Sequence, residues 1–326
     1  MATTTGPEPY PTPDMTSQIR LPHGRGLAYA CYGDPGGAAI LHFHGWPGSH
    51  LDFAPNDEAA RKAGARVIAV DRPGVGESDF RAGRRLRDWP TDIAALVDAL
   101  GIERFAVLGF SFGGPYALAV AHAHGSRVRA LGLVSAMGPL DRPRATEGMM
   151  PPTRLMFALA RTAGWLARPA VAGMTRSIAR GPDRFIRQMY RSMAPPDRAV
   201  LDARPDVAAA IADAALAMCR AGTGPVLTDA LAVTNHWGFR LEDIHVPTFV
   251  WQGAEDRNVP RHIGEHYGRT IPGAVLKLCE HEGHFVFYSH AADILSALAS
   301  AETPDPEDDA RQPDARHPDI GGVTGR

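Results

Sequence analysis

Lysine is nearly absent from this 326-residue chain: of its 34 basic residues only Lys62 and Lys277 are lysines. The arginines that replace it form no basic block on one predicted face. With a formal net charge of -2 the chain offers no long-range attraction to nucleic acid or to an anionic membrane. Cysteine is scarce as well. Cys31, Cys219 and Cys279 are odd in number and widely spaced, which argues against a disulfide framework and predicts a reducing, cytoplasmic setting. The opening stretch MATTTGPEPYPTPDM has neither a basic start nor an apolar run, so no signal peptide is read there. No uninterrupted apolar run approaches the roughly 18 to 20 residues of a membrane span. A Gly-x-x-x-x-Gly-Lys phosphate loop and a Gly-x-Gly-x-x-Gly after a strand are both missing, so no nucleotide cofactor is expected.

What remains is the composition of a globular chain, 44% hydrophobic and 21% charged, with a core to bury. Its two ends differ from the rest. Residues 1–16 are rich in Thr and Pro, and residues 302–326 are acidic, Pro-rich and nearly free of aliphatics; both are expected to be disordered. Between them, short apolar runs such as AAILHFHG, ARVIAVDR, FAVLGFS, VRALGLVSA and PTFVWQG alternate with helical patterns. Strands apolar on both faces and separated by helices predict an α/β protein with a doubly wound, mostly parallel sheet. One interval breaks the alternation. Residues 138–246 hold several helical patterns and no good strand, which predicts a helical lid inserted between core segments 17–137 and 247–301.

The stretch VLGFSFGGPY puts Ser111 between Gly109 and Gly113, after one strand pattern and before a helix pattern with Pro115 in its first turn. Strand, sharp turn and helix is the setting of a nucleophile elbow, and the helix start favours developing negative charge. A serine needs a base, and the base needs an orienting acid. His284 follows the last strand pattern, with His281 as its neighbouring competitor. Asp256 follows the preceding strand, with Glu255 as the alternative and Asp141 a distant third. The order Ser111, Asp256, His284 is that of a nucleophile–acid–base set on such a sheet. Backbone N–H groups of Phe112, the residue after the serine, and of Trp46, in the turn HGWPGS, are the candidate oxyanion donors; Pro47 has no N–H to give. His42 and His44 alternate onto one strand face but lack the aspartate that a zinc pattern needs after them, so no metal is expected.

Together, HGWPGS, DRPGVGESD, GFSFGG, GAEDRNVP and EGHF resemble, in order and spacing, the oxyanion, glycine-rich, nucleophile, acid and histidine loops of the α/β-hydrolase fold. The resemblance covers about residues 17–300. It implies an eight-stranded sheet with a helical cap and a serine esterase or lipase-like activity without cofactor. Epoxide hydrolases and haloalkane dehalogenases share a similar oxyanion loop but attack with aspartate, where this chain has Ser111. The expected reaction is hydrolysis of an ester, lactone or thioester. An acyltransferase or cyclase would use the same residues, and a ligand-binding protein on this fold is the rival from another class. Phe110, with Met149, Met156 and Phe157 from the lid, are the candidate walls of a pocket for a small-molecule apolar acyl substrate.

Overall fold

The computed structural model describes residues 16–301 with the exception of residue 163. The two predicted disordered tails lie outside the described residues, save for residue 16. Eight strands form one sheet: β1 (Ser17–Arg20), β2 (Gly26–Gly33), β3 (Ala38–Phe43), β4 (Ala65–Val70), β5 (Phe105–Phe110), β6 (Val128–Val134), β7 (Thr248–Gly253) and β8 (Val275–Cys279). Their spatial order is β1-β2-β4-β3-β5-β6-β7-β8, with β1 and β2 antiparallel and all pairs from β4 to β8 parallel. The central parallel strands are apolar runs of the sequence, and their side chains alternate between two buried layers, whereas the edge strand β8 leaves alternate residues exposed. Val67 and Ala69 of β4 join one layer with Ala106 and Leu108 of β5, while Ile68 and Val70 join the other with Val107. β1 carries no apolar run; only half of its side chains are even partly buried, which is why no pattern announces it.

Helices cover both faces. α1 (Asp57–Lys62) lies on the first of these layers, and α2 (Trp89–Ala99) and α3 (Gly113–Ala123) lie on the second. Six helices follow β6 before the chain returns to β7: α4 (Pro151–Thr162), α5 (Gly164–Arg180), α6 (Pro182–Ser192), α7 (Pro195–Ala203), α8 (Pro205–Cys219) and α9 (Thr223–Thr234). Four of these start on proline, where the missing N–H costs nothing, and three of the four, α6, α7 and α8, also have an aspartate in the first turn. α5, α8 and α9 share a small core of their own, with Val171, Ile178, Met218 and Val226 buried in it. The carboxy-terminal part adds α10 (Arg261–Thr270), α11 (Val286–Ser289) and α12 (Ala291–Ser300). No single helix among the described residues is long and apolar enough to cross a membrane, and the apolar pair α8 and α9 is bent by 104°.

Candidate active site

Ser111 sits at the carboxy-terminal end of β5 with φ +53°, a left-handed conformation that a serine adopts only when its surroundings impose it. The surroundings are specific. Ser111 N–H donates to Val134 O of β6 at 3.0 Å, and Ser111 O accepts from Gly114 N and from Met137 N. A side chain at 113 would put Cβ 1.9 Å from Phe43 O, so only glycine lets α3 start this close to β3. The turn therefore holds the serine hydroxyl out over the sheet at the helix start, in the manner the Gly-x-Ser-x-Gly pattern predicts.

His284 and Asp256 meet Ser111 there. His284 Nδ1 lies 2.8 Å from Asp256 Oδ2, and His284 Nε2 lies 3.1 Å from Ser111 Oγ. All three side chains are buried. Asp256 is fixed on its far side, where Oδ1 accepts the N–H groups of Asn258 and Val259, both at 2.8 Å. With Nδ1–H donating to the carboxylate, Nε2 is free to accept the serine hydroxyl. Burial disfavours a protonated His284, but the negative charges of Asp256 and, behind it, Asp197 outweigh burial and raise the imidazole pKa above its ordinary value. The competing residues point elsewhere. His281 and Glu255 face each other 3.8 Å apart at the surface, with His281 94% exposed, and Asp141 borders a separate surface hollow.

Asp197 is a residue that the sequence reading did not single out. It stands in the first turn of α7, and its Oδ1 accepts Phe285 N–H at 2.8 Å, so the inserted segment holds the backbone next to His284. Burial, only partly offset by the positive field of His284 and by this hydrogen bond, pushes its carboxyl up to about 6. Helix-start aspartates are common caps, and nothing in the local sequence distinguishes one that reaches across to another loop.

Trp46 and Phe112 flank the serine from two loops. Their rings stack with centroids 5.5 Å apart. Phe112 N–H is at the start of α3, where no intrahelical acceptor exists, and among the described residues neither this N–H nor that of Trp46 is donated in any turn or side-chain contact. Beside them opens a cavity of about 90 Å³ whose walls include Gly45, Trp46, Phe110, Ser111 and His284. Phe110 lines it as predicted. Met149, Met156 and Phe157 do not: α4 carries Phe157 against the far side of the Phe112 ring, 5.8 Å between centroids, and Met149 and Met156 pack into the core layer below. The inserted segment's contribution to the wall comes instead from Phe185 and Met189 of α6 and from Ile211 and Ala214 of α8. The i, i+4 spacing of Phe185 and Met189, with arginines on the opposite side of α6, was the available signal. Larger hollows of about 370 and 250 Å³ lie around Arg142 and His266, away from Ser111.

His42 and His44 are hydrogen-bonded within the core. His42 Nε2 is 2.9 Å from Asp52 Oδ1, and His44 Nδ1 is 2.9 Å from Gly45 O, both fully buried. Among the described residues no group of three His, Cys, Asp or Glu side chains could hold a metal ion.

A sequence model of the alpha/beta hydrolase fold matches residues 38–291. The chain belongs to the α/β-hydrolase fold family. It is 31% identical over 266 residues to a 2-hydroxy-6-oxononadienedioate/2-hydroxy-6-oxononatrienedioate hydrolase of Cupriavidus pinatubonensis, covering 78% of this chain and 83% of the relative. It is 29% identical over 263 residues to a pimeloyl-(acyl-carrier protein) methyl ester esterase of Neisseria meningitidis, covering 77% and 88%. Among solved structures it superposes on an enol-lactonase from Burkholderia xenovorans with a TM-score of 0.63 at 19% identity, covering 86% of this chain and all of that one. This α/β-hydrolase is an enzyme of the carboxylic ester hydrolase type.

Proposed function

We propose that the protein is a serine hydrolase in which Ser111 is the nucleophile, His284 the general base and Asp256 the residue that orients it. The observation that carries this reading is the relay of hydrogen bonds from Asp256 through His284 to Ser111, 2.8 and 3.1 Å long, ending at a cavity. Ser111 Oγ attacks the carbonyl carbon of an ester while His284 Nε2 takes its proton. The negative charge that develops on the carbonyl oxygen is met by the N–H groups of Trp46 and Phe112. Collapse of this intermediate returns the proton from His284 to the leaving alcohol and leaves an acyl group on Ser111. Water, deprotonated by the same imidazole, then attacks the acyl carbon and releases the acid and the serine.

The substrate we infer is a neutral ester or lactone with a small apolar acyl group. A cavity of about 90 Å³ is small, and among the described residues no arginine or lysine borders it. A substrate with a carboxylate or phosphate near the reacting bond would find no counter-charge there. The helices over residues 138–246 act in this reading as a cap that closes the acyl site with Phe185, Met189 and Ile211. The test is a series of p-nitrophenyl esters from acetate to decanoate, together with labelling by a fluorophosphonate. Highest kcat/KM on the short esters and labelling that disappears in Ser111→Ala are expected. Labelling that persists in folded Ser111→Ala, or a preference for long-chain or anionic esters, refutes the assignment of nucleophile or of substrate respectively.

A further inference from the structure

Below the Trp46 loop lies a buried ionic cluster that the proposed reaction does not use directly. Arg72, at the end of β4, is fully buried, and its guanidinium donates to His44 O at 2.5 Å and to Gly45 O at 2.9 Å. Its other contacts run to Asp229 of α9, with Nε and Nη2 donating at 2.9 and 2.8 Å. Asp229, also fully buried, accepts in addition from Arg84 and from the Tyr116 hydroxyl of α3, the latter at 2.9 Å. Two guanidiniums thus share one carboxylate. Burial would raise the Asp229 pKa, but Arg72 and then Arg84 hold it well below the usual carboxylate range. His44 beside them is kept neutral by burial and by Arg72, so its Nδ1–H donates to Gly45 O as well.

The consequence falls on one peptide group. In the trans Gly45–Trp46 peptide the carbonyl and the N–H point in opposite directions. The Gly45 carbonyl is gripped by Arg72 and His44 on the buried side, and Gly45 N–H is held by Asp52 Oδ2 at 3.0 Å. The Trp46 N–H is therefore turned the other way, to the side where Gly45, Trp46 and Ser111 border one cavity. The same helix secures the residue a second time, since the Trp46 indole Nε1 donates to Val226 O of α9 at 3.3 Å. We propose that Arg72, held by Asp229 of the inserted segment, is a positioning residue of the oxyanion hole, fixing the Gly45–Trp46 peptide so that its N–H faces the Ser111 hydroxyl. The inserted helices then do more than wall the substrate: α9 must be seated for one of the two oxyanion donors to be in place. A cation hydrogen-bonded to the carbonyl end also polarises the peptide and strengthens its N–H as a donor.

This inference rests on the serine-hydrolase reading, and a matched pair of variants in the full chain separates the two. Arg72→Met and Arg84→Met each remove one buried guanidinium and each leave one arginine paired with Asp229, but only the first removes donors to His44 O and Gly45 O. On p-nitrophenyl butyrate, Arg72→Met is expected to lower kcat about 100-fold with KM changed less than about threefold, at least about tenfold more than Arg84→Met does; loss of a whole oxyanion donor costs about 10² to 10³. An alkyl trifluoromethyl ketone supplies the readout that a merely structural role would not move. Its carbonyl carbon bonds to Ser111 Oγ, the serine proton passes to His284 and the former carbonyl oxygen becomes an oxyanion. Its affinity is expected to fall in proportion to kcat/KM in Arg72→Met, while that of the product acid stays within about twofold. Where Arg72→Met does not fold, Arg72→Lys, which keeps the charge but not the fork, is read in its place. Unchanged kcat, equal losses in the two variants, or undiminished ketone affinity overturns the proposal. A wild-type chain that neither hydrolyses an ester nor takes the fluorophosphonate overturns the hydrolase reading itself, and the inference with it.

Discussion

Replacing Asp256 by asparagine changes one atom, and the structure dictates which way the new group must face. Asp256 Oδ1 accepts two backbone N–H groups, from Asn258 and Val259, and backbone donors cannot be inverted. In Asp256→Asn the amide oxygen is therefore held at that position, and the NH₂ is aimed at His284 Nδ1, 2.8 Å away, and at the Gln252 amide 3.4 Å away. An N–H facing an N–H forces the imidazole to move its proton from Nδ1 to Nε2. The ring then donates toward Ser111 Oγ instead of accepting from it, and the base is lost. Restoring the productive tautomer leaves a buried donor unpaired at about 1–3 kcal/mol, and the charge-assisted bond that stabilises the imidazolium, worth about 1.5–3 kcal/mol, is gone as well. The total of about 3–6 kcal/mol corresponds to a loss of about 10² to 10⁴ in kcat at about 1.4 kcal/mol per tenfold. KM is expected to stay within about threefold, because Asp256 does not border the cavity. Steady-state kinetics on p-nitrophenyl butyrate, with circular dichroism as a check of folding, measure this directly. An Asp256→Asn enzyme within tenfold of the parent, with collapse in Glu255→Gln instead, would refute the reasoning.

Two further predictions concern the neighbours of this pair. His284→Ala is expected to lose several orders of magnitude in kcat, whereas His281→Ala, altering a 94% exposed side chain, stays within about threefold; the reverse result in parallel kinetics would move the base to His281. Asp197, its carboxyl raised to about 6 in the folded chain from an ordinary value of 3.8, binds more protons folded than unfolded, so it opposes stability increasingly as pH rises through that window. Asp197→Asn is therefore expected to gain about 2–3 kcal/mol relative to the parent between pH 4 and pH 7 in urea titrations. Because Asp197 also helps hold the imidazolium, the acid limb of the kcat/KM profile, which lies above the ordinary imidazole pKa in the parent, moves to lower pH in the same variant. An unmoved limb, or a stability difference independent of pH, would count against this account of Asp197.

Much of the candidate site was legible in the sequence because its parts are turn chemistry. A serine between two glycines, a histidine and an aspartate each just beyond a strand, and a turn with proline after Trp46 are local signals, and the sheet brings their loops to one edge. The central parallel strands β4, β5 and β6 were legible because burial on both faces leaves little choice but Val, Ile, Leu, Phe, Ala and Gly. β1 was not, since an antiparallel edge strand with alternate exposure needs no apolar run. Nor was the wall of the cavity. Met149, Met156 and Phe157 are as apolar as Phe185, Met189 and Ile211, and which set faces Ser111 depends on how six helices pack over the sheet. Arg72 and Asp229 were illegible for a related reason. They are 157 residues apart, and a lone arginine in a glycine-rich loop reads as solvated until α9 is seen to bury it.

The buried charges that escaped the sequence have an arrangement of their own. On the histidine side stand Asp256 and Asp197, and both favour a positive imidazole between them. On the Trp46 side Arg72 and Arg84 share the carboxylate of Asp229, with His44 neutral, so that this trio carries one net positive charge at full burial, while Asp52, on Gly45 N–H, is paired with His42. In the proposed first step a proton leaves Ser111 for His284 and negative charge appears on the substrate oxygen beside Trp46 and Phe112. Positive charge thus arises at the acidic pole and negative charge toward the basic pole. Fixed groups of opposite sign in a dry interior stabilise that separation without having to reorient, which is the way preorganised electrostatics lower a barrier. Asp197 and Asp229 both belong to the inserted helices, one at each pole. A cap that only covered the substrate would need neither of them buried; one that also sets the field across the reacting atoms needs both.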